Sequence, residues 1–241
     1  MDFKRLDELA AQVKAMRPLN QAELKRLRDE FVVENTYDSN AIEGNSLTLR
    51  ETALVLQEGV TIAEKPLKDH LEAIGHRDAF EYIAALAGEK KPLTERIIKE
   101  IHSLVLMNDR ENRGVYRSVP VKIMGAQHTP PQPYLVPVQM EQLIADYEDM
   151  KKRLHIVEAV AAFHLRFEGI HPFIDGNGRT GRLILNLELI KAGLLPVNIK
   201  FTDRRKYYEA FDGSPEMLVE LIASYEAAEL EKRLAILQDL H

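Results

Sequence analysis

The chain is 241 residues long, 45% hydrophobic and 29% charged, with a net charge of −6. That length supports one full hydrophobic core and a small appendage, and an acidic chain with no basic run longer than three residues lacks the electrostatic footprint of a nucleic-acid binder. The lack of cysteine excludes disulfides and cysteine nucleophiles and fits a reducing cytosol; with no apolar run of membrane-spanning length and no signal-peptide core in Met1–Leu9, a cytoplasmic protein with no membrane partner is expected.

Asp7–Met16 has the spacing of a short amphipathic helix that breaks near Pro18. Asn20 and Glu23 form a capping box for a longer helix with an apolar stripe of Leu24, Leu27 and Phe31. That helix runs towards Ser39-Asn40-Ala41-Ile42-Glu43-Gly44-Asn45, where Gly44 is a natural C-cap and Ser39 and Glu43 share a face. By itself a serine one turn from a glutamate carries no functional weight. Thr48 and Glu51 make a second capping box, opening a helix that Gly59 ends. Leu67–Leu86 keeps helical spacing with Gly75 inside it, and Thr94 caps Glu95–Leu106. His70, His76 and His102 lie on these helices without a carboxylate or cysteine in ligand spacing, so packing or surface roles are expected.

Residues 113–137 change character. Val119, Val121 and Ile123 alternate with Pro120, Lys122 and Met124, and Gly125 turns the chain, which predicts a short hairpin or extended flap. Pro120 makes it an edge and not a central strand. Val138–Arg153 and Ile156–Phe167 read as helices, with His164 on an apolar run as a core histidine. Leu183–Ala192 is apolar nearly all round and therefore buried, ending at Gly193 and Pro196. Thr202 is placed to cap Asp203–Phe211, and Pro215 sits at the first position of a helix reaching about Leu240.

Residues 171–182, His-Pro-Phe-Ile-Asp-Gly-Asn-Gly-Arg-Thr-Gly-Arg, concentrate the chemistry. His171 can take a proton near neutral pH. Asp175 can hold a hard cation such as Mg²⁺. Gly176 and Gly178 let the backbone curl and aim N–H groups at an anion ahead of a helix N-terminus. Arg179 and Arg182 present planar forks suited to phosphate oxygens. Residues 176–181 also match G-x-G-x-x-G, but the segment before them is helical in period and a dinucleotide fingerprint needs a strand there. A calcium loop is excluded by Thr180 and Asn186, where such a loop needs Gly and Glu. What remains is a base, a metal ligand and a polyphosphate cradle, equipment for moving a phosphate-linked group onto a hydroxyl.

This segment resembles, position for position, the H-P-F-x-[D/E]-G-N-G-R-x-x-R motif of the Fic family, most of whose members transfer AMP from ATP to a protein hydroxyl. Gly178 stands where Doc-type kinase relatives carry lysine. The resemblance covers roughly residues 35–225. It implies an all-α fold, a helical core around a central buried helix, with a small β-hairpin flap. It divides the chain into an N-terminal helical appendage, 1–34, and a Fic domain, 35–241, that includes an inhibitory helix at 35–45.

The same resemblance assigns roles. His171 would be the general base, Asp175 the Mg²⁺ ligand, and Gly176, Asn177 and Gly178 the anion cradle. Arg179 would bind the β-phosphate and Arg182 the γ-phosphate of ATP, with Tyr208 lining the adenine pocket. Ser39, Glu43 and Gly44 match the inhibitory motif [S/T]-x-x-x-E-[G/N], whose glutamate pairs with the second arginine, here Arg182. Val121, Lys122 and Ile123 would clamp the target protein by strand-like backbone contacts. Removal of AMP by the same site, transfer of UMP, GMP or phosphocholine, and a nucleotide sensor without turnover stand as alternatives. A homodimer burying the inhibitory helix would suit such regulation.

Overall fold

The computed structural model describes residues 2–16, 19–89, 91–123 and 128–239. Pro18, Met124, Gly125 and Leu240 lie outside them. Ten α-helices form the described part: α1 Lys4–Ala15, α2 Gln21–Ile42, α3 Leu49–Glu58, α4 Leu67–Ala87, α5 Glu95–Val105, α6 Val136–Met150, α7 Ile156–Ile170, α8 Asn177–Lys191, α9 Arg204–Asp212 and α10 Pro215–Asp239. The caps are those the sequence offers for α2, α3 and α5. Asn20 accepts from the Glu23 N–H while Glu23 accepts from the Asn20 N–H, and Thr48 and Glu51 repeat the arrangement. Thr94 accepts from the Ile97 N–H. An unforeseen box opens α7, where the His155 ring accepts from the Val157 N–H and Glu158 accepts from the His155 N–H.

α8 is the axis. From Thr180 to Leu189 every residue is buried, and α4, α5 and α7 pack around it while α2 reaches it at one end. It begins at Asn177, six positions before the expected Leu183, so that both arginines stand in its first two turns. The apolar count at Leu183 missed this because the first two turns are polar yet buried. Ile98, Ile101, Phe167, Phe173, Ile184 and Leu187 are fully buried around the axis, and α1 closes the far side by packing on α10. The boundary drawn between 34 and 35 falls inside the single helix α2. The expected Thr202 cap is absent: α9 starts at Arg204 after a short 3₁₀ turn, with no side-chain cap bond.

The predicted hairpin is not formed. Val121, Lys122 and Ile123 belong to no strand, and no strand occurs among the described residues. Pro120, Pro130 and Pro131 remove ladder donors from both arms. A side chain does the joining instead: buried Arg117 donates to the carbonyls of Val119 (3.1 Å) and Pro131 (2.6 Å), and to those of Ile170 (3.3 Å) and His171 (2.8 Å). The flap base is therefore pinned to the loop that carries His171.

Gly75, inside α4, has a steric reason. A Cβ there would lie 2.3 Å from the Leu104 carbonyl, so α4 and α5 touch through the missing side chain. Gly75→Ala is expected to destabilise the chain by about 1–3 kcal/mol through overpacking, although alanine is the better helix former. Chemical denaturation of the two proteins measures the difference; a neutral or stabilising alanine would show that the two helices separate without cost.

Candidate active site

The site forms where the start of α8 meets the end of α2. α2 closes in a Schellman turn: Gly44, at φ +94°, donates to the Ala41 carbonyl and Asn45 to that of Asn40. This turn brings Glu43 against Arg182, 139 positions away, with Nη2 donating to Oε1 at 2.8 Å. Ser39 takes two more bonds from the same guanidinium, at its hydroxyl (3.0 Å from Nε) and its carbonyl (2.9 Å from Nη2). Tyr207 accepts from Nη1 at 3.3 Å and its ring lies under the guanidinium. Burial works against the charge on Arg182, but Tyr207 and Glu43 more than offset it. Ser39, Glu43 and Arg182 thus meet as the inhibitory motif implied.

Gly178 explains how close Glu43 comes. A Cβ on Gly178 would stand 2.3 Å from Glu43 Oε1. The glycine therefore makes room for a carboxylate directly over the first turn of α8.

The loop before α8 is held from inside. His171 takes a left-handed backbone, φ +50°, and donates its N–H to Phe167. Asn177 is buried, and its side chain is committed to the loop: Oδ1 accepts from the Phe173 N–H and Nδ2 donates to the Phe173 carbonyl, both at 2.9 Å. What Asn177 turns towards the site is its backbone. Phe173 stacks on His102 at 3.6 Å. The Gly114 N–H donates to His102 Nδ1, so the proton sits on Nε2, which donates to the Asp175 carbonyl at 2.9 Å. His102 is thus a neutral clamp on the metal-ligand candidate, pulled down to about 4 mainly by burial.

Asp175 itself is half-exposed, beside an open depression of about 600 Å³ shared with Lys68 and Arg110. Its Oδ1 accepts from the Gly176 N–H and from Arg179 Nη2 (3.2 Å), which leaves Oδ2 facing outwards. No cluster of three metal-ligating side chains occurs among the described residues. Oδ2 has Lys68 Nζ at 3.9 Å, and a carboxylate oxygen so placed fits a Mg²⁺ that arrives with most of its shell supplied by phosphates and water.

Arg179, expected to bind the β-phosphate, is 2% exposed, with Nη1 donating to Glu72 at 3.0 Å and Nη2 to Asp175. Glu72, on α4, went unnoticed in the sequence because nothing local marks it. Tyr208 lies with its hydroxyl donating to the Ile42 carbonyl at 3.3 Å, at the end of α2. Its neighbour Tyr207, also missed, is the residue that touches Arg182.

Burial sets the charge states. His171 is held below its ordinary pKa by burial, so its imidazole is neutral and basic at pH 7. His76 and His164 are pulled to about 3, by burial and then by the Arg182 charge. Glu168, between His171 and Glu43, is pushed up to about 8 by burial and the Glu43 charge. His76 Nδ1 lies 3.1 Å from Thr36 Oγ1, and His70 accepts from the Ile62 N–H.

A model of the Fic/DOC family matches residues 92–189. The protein adenylyltransferase Fic of Nematostella vectensis is 36% identical over 198 residues, covering 80% of this chain and 45% of its own length. That of Drosophila willistoni is 34% identical over 249 residues, covering 100% of this chain and 49% of its own. The chain spans about half the length of these curated relatives. A Fic domain containing signaling protein from Bacteroides thetaiotaomicron superposes with a TM-score of 0.90 at 30% identity, over 98% of this chain and 97% of that one.

The buried groups give a pH signature. His76, His164 and His102 bind protons in the unfolded chain below about 6.5 but not in the fold, so the stability they contribute is full above that pH and is lost as pH falls towards 4 and 3. Glu168 and Glu226 are both raised from 4.5 to about 8, so their contribution is full below 4.5 and lost as pH rises through 8. The histidines outnumber the carboxyls between those limits, and above about 6.5 only the carboxyls act. The melting midpoint should peak near that pH and fall on both sides. Scanning calorimetry across the range checks it, and a midpoint still climbing at alkaline pH would mean that the two carboxyls are ionised in the fold.

Proposed function

The chain belongs to the Fic/DOC family, and from that premise we propose that it is a protein adenylyltransferase held in check by Glu43. The observation that carries the reading is the Glu43–Arg182 pair at 2.8 Å over the glycine-floored start of α8. It sets an inhibitory carboxylate in the fork that a terminal phosphate would need.

In the reaction, a Ser, Thr or Tyr hydroxyl of a target protein attacks the α-phosphorus of ATP. The oxygen–phosphorus bond forms, the bond to the bridging oxygen of the β-phosphate breaks, and pyrophosphate leaves. His171, neutral through burial, takes the hydroxyl proton. Backbone N–H groups of Asn177 and Gly178 at the α8 N-terminus stabilise charge developing on the α-phosphate, while the Gly176 N–H, expected in the same cradle, is taken by Asp175 Oδ1. Asp175 Oδ2 would hold Mg²⁺, which supplies charge neutralisation for the phosphates when bound. Arg182 binds the γ-phosphate once Glu43 leaves it, whereas Arg179, expected on the β-phosphate, has both Nη atoms taken by Glu72 and Asp175 and acts through Asp175. Val121, Lys122 and Ile123 lie next to the pinned flap base, within the reach of a target segment. A cytoplasmic location is part of the same proposal; among the described residues no helix is long and apolar enough to cross a membrane.

The seat of Glu43 also favours a second reading. A carboxylate inside the site, and not merely near it, could orient a water for the removal of AMP by the same residues.

His171→Ala should lower transfer by about 10²–10⁴-fold while nucleotide affinity changes little, because the base meets the hydroxyl and not the phosphates. Mass spectrometry of the target after incubation with ATP reads the +AMP adduct. Transfer within a few fold of the parent would take His171 out of the reaction.

Glu43→Gly should raise adduct formation by about 10- to 150-fold, the bias expected from a charge-assisted hydrogen bond of about 1.5–3 kcal/mol. The variant should fold, since Ser39 and Tyr207 still hold Arg182. Equal rates for the two folded proteins would remove the inhibitory role; faster loss of a pre-formed adduct with wild type than with the variant would favour the second reading.

A further inference from the structure

The buried arginine of the loop points away from the solvent. Arg179 donates from Nη1 to Glu72 Oε1 at 3.0 Å and from Nη2 to Asp175 Oδ1 at 3.2 Å, with Asn40 Oδ1 3.5 Å from Nη1. Glu72 is buried as well, and its second oxygen is engaged: Oε2 accepts from Asn45 Nδ2 at 2.9 Å. Asn45 is the residue whose N–H closes the turn behind Glu43, and its Nδ2 also donates to the Asp69 carbonyl. Lys68 Nζ lies 3.5 Å from Glu72 and 3.9 Å from Asp175 Oδ2.

The consequence concerns Asp175. A carboxylate has two oxygens, and a metal ligand must present the correct one. With Oδ1 bound to Arg179 and to the Gly176 N–H, Oδ2 is the oxygen turned out. Arg179 can hold that setting only while its own charge is balanced from the other side. Without Glu72, a guanidinium 2% exposed would draw Asp175 inwards as its remaining carboxylate partner among those the structure describes.

We infer that Glu72 is a positioning residue of the transfer site: through Arg179 it fixes which oxygen of Asp175 faces the metal of the bound nucleotide, and through Asn45 it ties that setting to the turn that carries Glu43. The inference rests on the adenylyltransferase reading. Glu72 touches neither the nucleotide nor the target, and it acts in the opposite sense to Glu43. Losing Glu43 frees an arginine for phosphate, whereas losing Glu72 misplaces a metal ligand.

The test is calorimetric titration of a non-hydrolysable ATP analogue into the full chain carrying Glu43→Gly, with and without Mg²⁺, and into the same protein carrying Glu72→Gln as well. The first protein should bind the analogue more tightly with Mg²⁺. The second should lose about tenfold or more of that Mg²⁺-dependent gain, the usual cost of removing a residue that orients a metal ligand. A purely structural Glu72 would lower the melting midpoint and leave the Mg²⁺ gain unchanged, and that result overturns the inference. If Glu72→Gln does not fold, Glu72→Asp keeps the charge beside Arg179 but retracts the oxygens, and the same two outcomes apply. A Glu43→Gly protein that binds no analogue under either condition would bring down the functional reading and this inference together. Normal binding with an unaltered Mg²⁺ gain in the double variant would bring down this inference alone.

Discussion

The arrangement of this molecule depends on satisfying one buried guanidinium. Arg182 is 5% exposed, and an unpaired charge at such depth would cost several kcal/mol. Its partners come from two places in the sequence: Ser39 and Glu43 at the end of α2, and Tyr207 on α9. Wherever Arg182 sits, those elements must follow. The end of α2 is drawn onto α8 by this demand more than by apolar contact, for α2 meets α8 only near its last turns. The partners are not equivalent. Ser39 and Tyr207 are buried, while Glu43 is 31% exposed and stands at the mouth. The charged partner is thus the exchangeable one, and an incoming phosphate can take its place without undoing the fold.

The surrounding titratable groups are neutral for a related reason. Burial first, and then the Arg182 charge, keep His76 and His164 uncharged. Glu168 keeps its proton because burial and the Glu43 carboxylate both resist a second anion there. Formal charge gathers in two groups, Glu43 with Arg182, and Arg179 with Glu72, Asp175 and Lys68. In the proposed reading the first faces the place of a terminal phosphate and the second sets the metal ligand. The same economy of charge keeps His171 neutral, and a general base must be neutral before it acts.

Much of this was legible in the sequence where the signal is local. The capping boxes at Asn20 and Thr48 appear as written, because a cap is decided within four residues. Residues 171–182 announced a phosphate site because their chemistry is dense and contiguous. Glu43 could be matched to Arg182 only through the family resemblance. What escaped was long-range. Glu72 and Tyr207 look like ordinary helix residues, and they matter because α4 and α9 bring them to the arginines. The start of α8 was misplaced because its first turns are polar and buried together, a combination that apolar periodicity cannot see. The hairpin failed because alternation of side chains does not supply N–H donors, and the prolines of both arms had removed them. Arg117 replaces the missing ladder with four carbonyl contacts.

Gly178 joins these threads. A glycine at the start of a helix is usually read as freedom for the backbone to approach an anion. Here the anion already present is the Glu43 carboxylate, whose Oε1 lies where a Cβ would need to stand, 2.3 Å away. A side chain at 178 would therefore crowd that carboxylate. In the proposed reading Glu43 and a terminal phosphate compete for one guanidinium, so the two occupants exclude one another. A competition of this kind needs no long-distance conformational change. Exchange of one anion for another at Arg182, with the buried partners holding the arginine in place, is enough to turn the site on.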